Sequence, residues 1–302
     1  MYKSGLNTDE LSDYFAEFCF YSYKDSKYEF TEEEFAQYFG MLRTNKNETV
    51  TAAEFLHDLS INLTLMRYEG GKYYFIHRSF QEYFCALFFS KQKDIFLARL
   101  GDFFEDRQKR MAGEQTFKML YDMIPDRVES DIFIPFLQEL FDKCDADDGY
   151  WTFLQRIYPR ICYEKGEVDD YSDNSPNSFL FSFIMDLLDP KFKYNCDDLP
   201  DEKALLVDRF VHVYEEDGVR ALIRFSDLRK YPWMEEQPEV VGWKYRADVK
   251  KLCDNRVKYE DVLDGLNGDD FIFKSQYLAA RQYFETIKEK QNRADEFFLD
   301  LL

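Results

Sequence analysis

The chain has 302 residues, 45% hydrophobic and 32% charged, a globular composition with length for one large domain or two ordinary ones. Its 39 basic and 59 acidic side chains leave a net charge of −20, which argues against a general binder of nucleic acid or of a membrane surface. With 31 Phe and 22 Tyr but only 12 Gly and 8 Pro, it favours aromatic-packed helices over a turn-rich sandwich or barrel.

Along the chain, Leu11, Tyr14, Phe15, Phe18 and Cys19 recur on one helical face, with Thr8 as the expected cap. A second helix is predicted to start at Thr31. There Thr31 and Glu34 have capping-box spacing, and Phe30 with Phe35 forms a hydrophobic staple. Thr51, Glu54, Val50 and Phe55 repeat the device for a third helix. Two β-prone runs, Leu63 to Tyr68 and Tyr73 to Ile76, flank Gly70-Gly71 and predict a hairpin. Three helices and a hairpin form a winged-helix arrangement. The third helix, Thr51 to Ser60, carries no Lys or Arg, and acids outnumber bases across residues 1–90, which argues against DNA reading.

After the hairpin stands Phe75-Ile76-His77-Arg78-Ser79-Phe80-Gln81-Glu82-Tyr83-Phe84-Cys85-Ala86. This string resembles the signature that closes the winged-helix module of NACHT-type STAND NTPases, the NLR-like proteins and their bacterial antiphage relatives. Phe75, His77, Ser79, Phe80, Gln81, Glu82, Tyr83 and Ala86 fit it, and Cys85 replaces a small alanine. The resemblance spans about residues 8–92. It implies that His77 contacts the phosphates of bound ADP and holds the closed, inactive state. Ser79 and Glu82 have capping-box spacing, so a helix is expected from Ser79. Gln81 and Glu82 read as helix-start and packing residues.

The NTPase motor of that family is missing from this sequence. Gly71-Lys72 is followed by Tyr73 and lacks the upstream glycine of a P-loop. Phe183 to Asp186 continues into a helical pattern ended by Pro190, so it is no Walker B strand. No catalytic residues and no enzyme activity are therefore expected. ATPase activity would belong to a NACHT NTPase module in cis or in trans, with ADP or ATP shared between the two. No cofactor is expected in this chain alone.

The acidic turns at Asp145 to Gly149 and at Asn267 to Asp270 miss the calcium-loop positions, so no metal site is expected. No cysteine pair has metal-ligand spacing, and the six cysteines read as core residues in a reducing cytoplasm. No apolar run approaches the length of a membrane span.

From Lys93 onward helices are predicted in series, including Ser178 to Leu188, Asp201 to Glu216, Val219 to Phe225 and a long final helix capped by Ser275. Residues Tyr163 to Asn177 read as an exposed loop. The expected fold is mostly α, a winged-helix unit with one β-hairpin followed by stacked α-helical hairpins. The expected domains are a winged helix at 1–92, a helical extension at 93–162 and a C-terminal sensor or interaction region at 163–302. In that last region Trp233 and Trp243, on an aromatic loop at 231–245, are the candidate partner-binding residues.

The functional expectation is the regulatory portion of a NACHT switch in a conflict or antiphage response. Its partners would be the NACHT module and a protein ligand or effector. The alternative is an acidic helical scaffold independent of nucleotide.

Overall fold

A computed structural model describes residues 2–42, 49–107, 113–146, 149–164, 167–168, 176–188, 210–216, 219–224, 244–254, 256–257, 260–268 and 272–300. The chain divides into two compact units. One holds residues 1–103 and 109–132, and the other residues 104–108 and 133–302.

In the first unit, local capping chemistry sets where helices begin. Thr31 and Thr51 each cap a helix with the predicted Glu reaching back, giving α2 (Glu32–Met41) and α3 (Ala52–His57). The first helix, α1 (Thr8–Lys24), corrects the expected Thr8 cap. Asn7 is its cap, and Glu10 closes the box on the Asn7 backbone. Asn7 with Glu10 has the same i, i+3 spacing as the other two boxes, and Asn is among the strongest N-caps.

Between α1 and α2 lies β1 (Glu29–Phe30). After α3 come a π-helical turn (Asp58–Asn62), β2 (Met66–Glu69) and β3 (Lys72–Phe75). The hairpin turns through Gly70 and Gly71, both at positive φ, as a two-residue type I′ turn requires. The antiparallel order is β1-β3-β2, so the two-residue strand before α2 completes a three-stranded wing. The helix α4 (Arg78–Ser90) then packs along α1.

The predicted apolar face of α1 is the core of this unit. Leu11, Tyr14, Phe15, Phe18 and Cys19 are all buried. Phe18 lies 5.2 Å from the Phe30 ring and 4.6 Å from Phe35, while Phe15 meets Phe84 edge-on at 4.7 Å. Phe20 stacks on Phe88 at 4.7 Å. These are favourable ring separations for dense aromatic packing.

Short helices complete the unit: α5 (Asp94–Leu97), α6 (Leu100–Glu105, whose last two residues belong to the second unit), α7 (Thr116–Met123) and α8 (Pro125–Val128). Pro125 ends α7 and then opens α8. Arg127 closes the far end of α4. Its guanidinium donates to the Ser90 and Gln92 carbonyls at 2.9 and 2.6 Å and to Asp94 at 2.7 Å. A cation there satisfies orphan carbonyls and complements the helix dipole. Arg127→Ala should lower unfolding free energy by about 1–3 kcal/mol, read as a lower urea midpoint at unchanged slope.

In the second unit, α9 (Ile134–Asp145) carries Pro135 in its first turn, where a missing N–H costs nothing. It is followed by α10 (Gly149–Ile157), α11 (Phe179–Leu188) and a final helix, Ile272–Asp300, which begins before the expected Ser275 cap. Ser178 caps α11, its hydroxyl oxygen accepting the Phe181 N–H at 3.0 Å, and Glu105 accepts the Phe179 and Leu180 amides. Phe183 and Asp186 lie within α11, in keeping with the helical reading of that string. Phe153, Phe181, Tyr158 and Phe273 form the centre. Phe153 meets Phe181 at 5.3 Å, and Tyr158 stacks on Phe273 at 4.0 Å with its hydroxyl on Gln276.

The helical expectation fails at residues 210–216 and 219–224, while residues 201–209 and 225 of the expected helices lie outside the described residues. The two described stretches form β6 (Phe210–Glu216) and β7 (Val219–Arg224), in an antiparallel sheet of order β5-β4-β8-β7-β6. Its other strands are β4 (Arg160–Glu164), β5 (Glu167–Val168) and β8 (Lys244–Asp248). The expected loop at 163–177 therefore begins as strand. Glu216 pairs with Val219, with two residues between them in the sequence. In the sequence, Asp-Gly between β-branched runs is a hairpin signal, and it competes with the helical pattern on either side.

Candidate functional site

The residues of the Phe75 to Ala86 string meet where β3 passes into α4. Phe75 is buried, whereas Ile76, His77 and Arg78 are exposed. The expected cap at Ser79 is corrected, because His77 itself is the N-cap of α4. The Ser79 amide can only donate, and it lies 3.2 Å from His77 Nδ1, so Nδ1 accepts. In the neutral ring the proton then sits on Nε2, which is left as a donor at the exposed end of the imidazole. The Phe80 amide is also taken, by the His77 carbonyl at 3.0 Å. An anion approaching this corner would meet the ring N–H and side chains rather than these amides.

Gln81 and Glu82 are both buried, as the packing reading expects. Gln81 donates to Ser22 Oγ at 2.8 Å and to the Lys27 carbonyl at 2.9 Å, tying α4 to the end of α1. Glu82 does not box Ser79. It pairs with Arg78 Nε at 3.2 Å and accepts the Gln115 backbone N–H. Burial raises its carboxyl above the usual range, against the pull of Arg78.

Tyr23, Tyr28 and Glu114 complete the corner around Arg78. Arg78 also pairs with Glu114 and lies 4.7 Å above the Tyr28 ring, donating to its hydroxyl at 3.2 Å. The Tyr23 hydroxyl donates to the other Glu114 oxygen at 2.8 Å. Burial and then the Glu114 charge push Tyr23 far above the usual tyrosine range, so the hydroxyl remains a donor. Arg78 occupies a variable position of the resembled string, and Glu114 is one of many acids. Only the fold brings them together.

Beside the corner, a groove of about 580 Å³ runs between α3 and the wing. Leu56, Ile61, Met66, Tyr68 and Ile76 line it, and Ile61, Tyr68 and Ile76 are largely exposed. The candidate partner residues Trp233 and Trp243 lie outside the described residues. Among the described residues no His, Cys, Asp and Glu cluster could hold a metal, and no helix is long and apolar enough to cross a membrane.

The fold and the corner define a mostly α protein with a winged helix, whose β3–α4 junction exposes an imidazole and a guanidinium. Residues 121–302 match the Short NACHT-associated C-Terminal domain, family 14 (SNaCT14), which is more than half of the chain, and the chain belongs to that family. The family name carries an association with NACHT proteins. No curated protein and no solved structure matches the chain.

Proposed function

We propose that this chain is the regulatory part of a NACHT switch. Residues 1–92 act as its winged helix, and His77 meets the nucleotide phosphates held by a NACHT NTPase module in cis or in trans. The C-terminal region then binds a protein ligand or effector, in a cytoplasmic conflict or antiphage response. The chain itself hydrolyses nothing. ADP or ATP is shared with the NTPase module, which supplies the P-loop.

The observation that carries this reading is the division of labour within His77. Nδ1 is used by the helix cap, where it meets the Ser79 amide and hydroxyl, and the ring stays exposed with Nε2 as the nitrogen for an outside partner. A contact made in only one nucleotide state biases domain closure by its differential free energy. The C-terminal family match supports a NACHT context from outside the winged helix.

The test is ADP retention by a separately expressed NACHT module mixed with this chain. His77→Asn keeps a capping acceptor, since Asn is a strong N-cap, but removes the reaching donor. It should leave thermal stability near wild type and weaken ADP retention about tenfold or more, as loss of a hydrogen bond to a charged group does. Equal retention with wild type and His77→Asn would instead favour the nucleotide-independent scaffold.

A further inference from the structure

We propose that Arg78 is exchanged between Glu114 and a phosphate drawn to His77, so that engaging the phosphate releases residues 113–123 from α4. This rests on the phosphate-contact reading of His77 and adds what that contact would move.

The argument begins with charge. Glu82 and Glu114 are each only 6% exposed, and they share one guanidinium that is 48% exposed. One face of Arg78 therefore holds two buried carboxylates, while its remaining edge faces solvent beside the exposed His77. A guanidinium binds carboxylate and phosphate with the same forked geometry, so the two anions compete for it. Tyr28 keeps Arg78 in place through ring and hydroxyl, whichever anion it serves. If the guanidinium is withdrawn, Glu82 and Glu114 face each other as like charges in a site of low dielectric, which is unfavourable. Burial, and the Glu114 charge beside it, already raise the Glu82 carboxyl.

Ahead of the buried Thr116 and Phe117, the approach to α7 rests on a small set of polar attachments. α7 has no side-chain cap. Its approach is fixed by Glu114 on Arg78 and Tyr23, and by the Gln115 amide on Glu82. Gly113, at φ +81°, precedes Glu114 and occupies a backbone region open to glycine without strain. Releasing Arg78 removes the cation common to both attachments, so the effect concentrates on one short stretch.

The experiment is hydrogen exchange on the full chain, followed at residues 113–123, with and without inorganic pyrophosphate against sodium chloride of equal ionic strength. Pyrophosphate should speed exchange there about three- to tenfold in the wild type, the size expected for loss of a half-buried ion pair. Arg78→Ala should exchange fast from the outset and not respond, while Arg78→Lys, which keeps charge but not the fork, should fall between. Glu114→Gln should bind pyrophosphate more tightly than wild type, since a competitor is removed. His77→Asn should weaken pyrophosphate binding and leave the ligand-free exchange unchanged.

Unchanged exchange in Arg78→Ala, or no pyrophosphate response in the wild type, overturns the proposal. Wild-type pyrophosphate binding in His77→Asn, with the Arg78 effects intact, overturns the His77 contact alone and leaves the Arg78 exchange standing.

Discussion

Phe18→Ala is expected to lower the stability of the first unit by about 3–5 kcal/mol, a large fraction of what a domain of this size has in total. The ring is fully buried and touches four others: Phe15, Phe30, Phe35 and Tyr38. Those four come from α1, β1 and α2, so the cavity would open at the point where three elements meet. Stiff rings relax poorly into a void, which places the cost toward the upper end of the range. Urea unfolding of wild type and variant measures it directly. Phe18→Leu keeps most of the volume and should cost much less, about 1–2 kcal/mol. Equal losses for the two variants would mean that ring geometry rather than cavity volume holds the cluster.

The cluster around Phe18 was legible because helical periodicity and capping are local. The spacing of Leu11, Tyr14, Phe15, Phe18 and Cys19 can be read within two turns, and each residue is buried. The boxes at Thr31 and Thr51 are three-residue patterns whose chemistry does not depend on the rest of the chain. The Asn7 box was equally local, and the adjacent Thr8 obscured it. His77 escaped as a cap for a different reason. A ring nitrogen can accept the N2 amide as an Asn oxygen does, but histidine is outside the usual capping set.

The strands of the second unit show where local pattern gives out. β8 pairs with β4 across more than eighty residues, Arg160 opposite Asp248, and nothing in either segment announces the partner. Long-range pairing is set by tertiary contacts that outweigh propensity. The site divides in the same way. The resembled string gave His77, Gln81 and Glu82, whereas Arg78 gains its meaning from Glu114, thirty-six residues on. In a chain with 59 acids, no single carboxylate stands out before folding.

Asp58→Ala should give the other large loss, about 2–4 kcal/mol, because a buried charge-assisted network loses its centre. The Asp58 side chain is fully buried at the start of the π-helical turn. It accepts the Lys3 amide at 2.7 Å, the Ser4 amide at 2.8 Å and the Asn62 side chain at 2.6 Å. Burial alone would raise its carboxyl. The Ser4 hydroxyl and amide, the Lys3 amide and Asn62 outweigh burial and hold it below the usual aspartate range. A depressed folded value means that the charged form stabilises the fold above about pH 4, the unfolded aspartate value. That contribution must vanish as pH falls through the depressed folded value. Glu82 acts in the opposite sense, since its raised carboxyl favours the fold as pH falls. Total stability against pH therefore mixes the two, but the difference between wild type and Asp58→Ala cancels Glu82. That difference should be constant near neutral pH and shrink below about pH 4, with faster amide exchange at Lys3 and Ser4 in the variant. A difference that stays flat through pH 2 would show that Asp58 acts through its shape in the turn rather than through its charge.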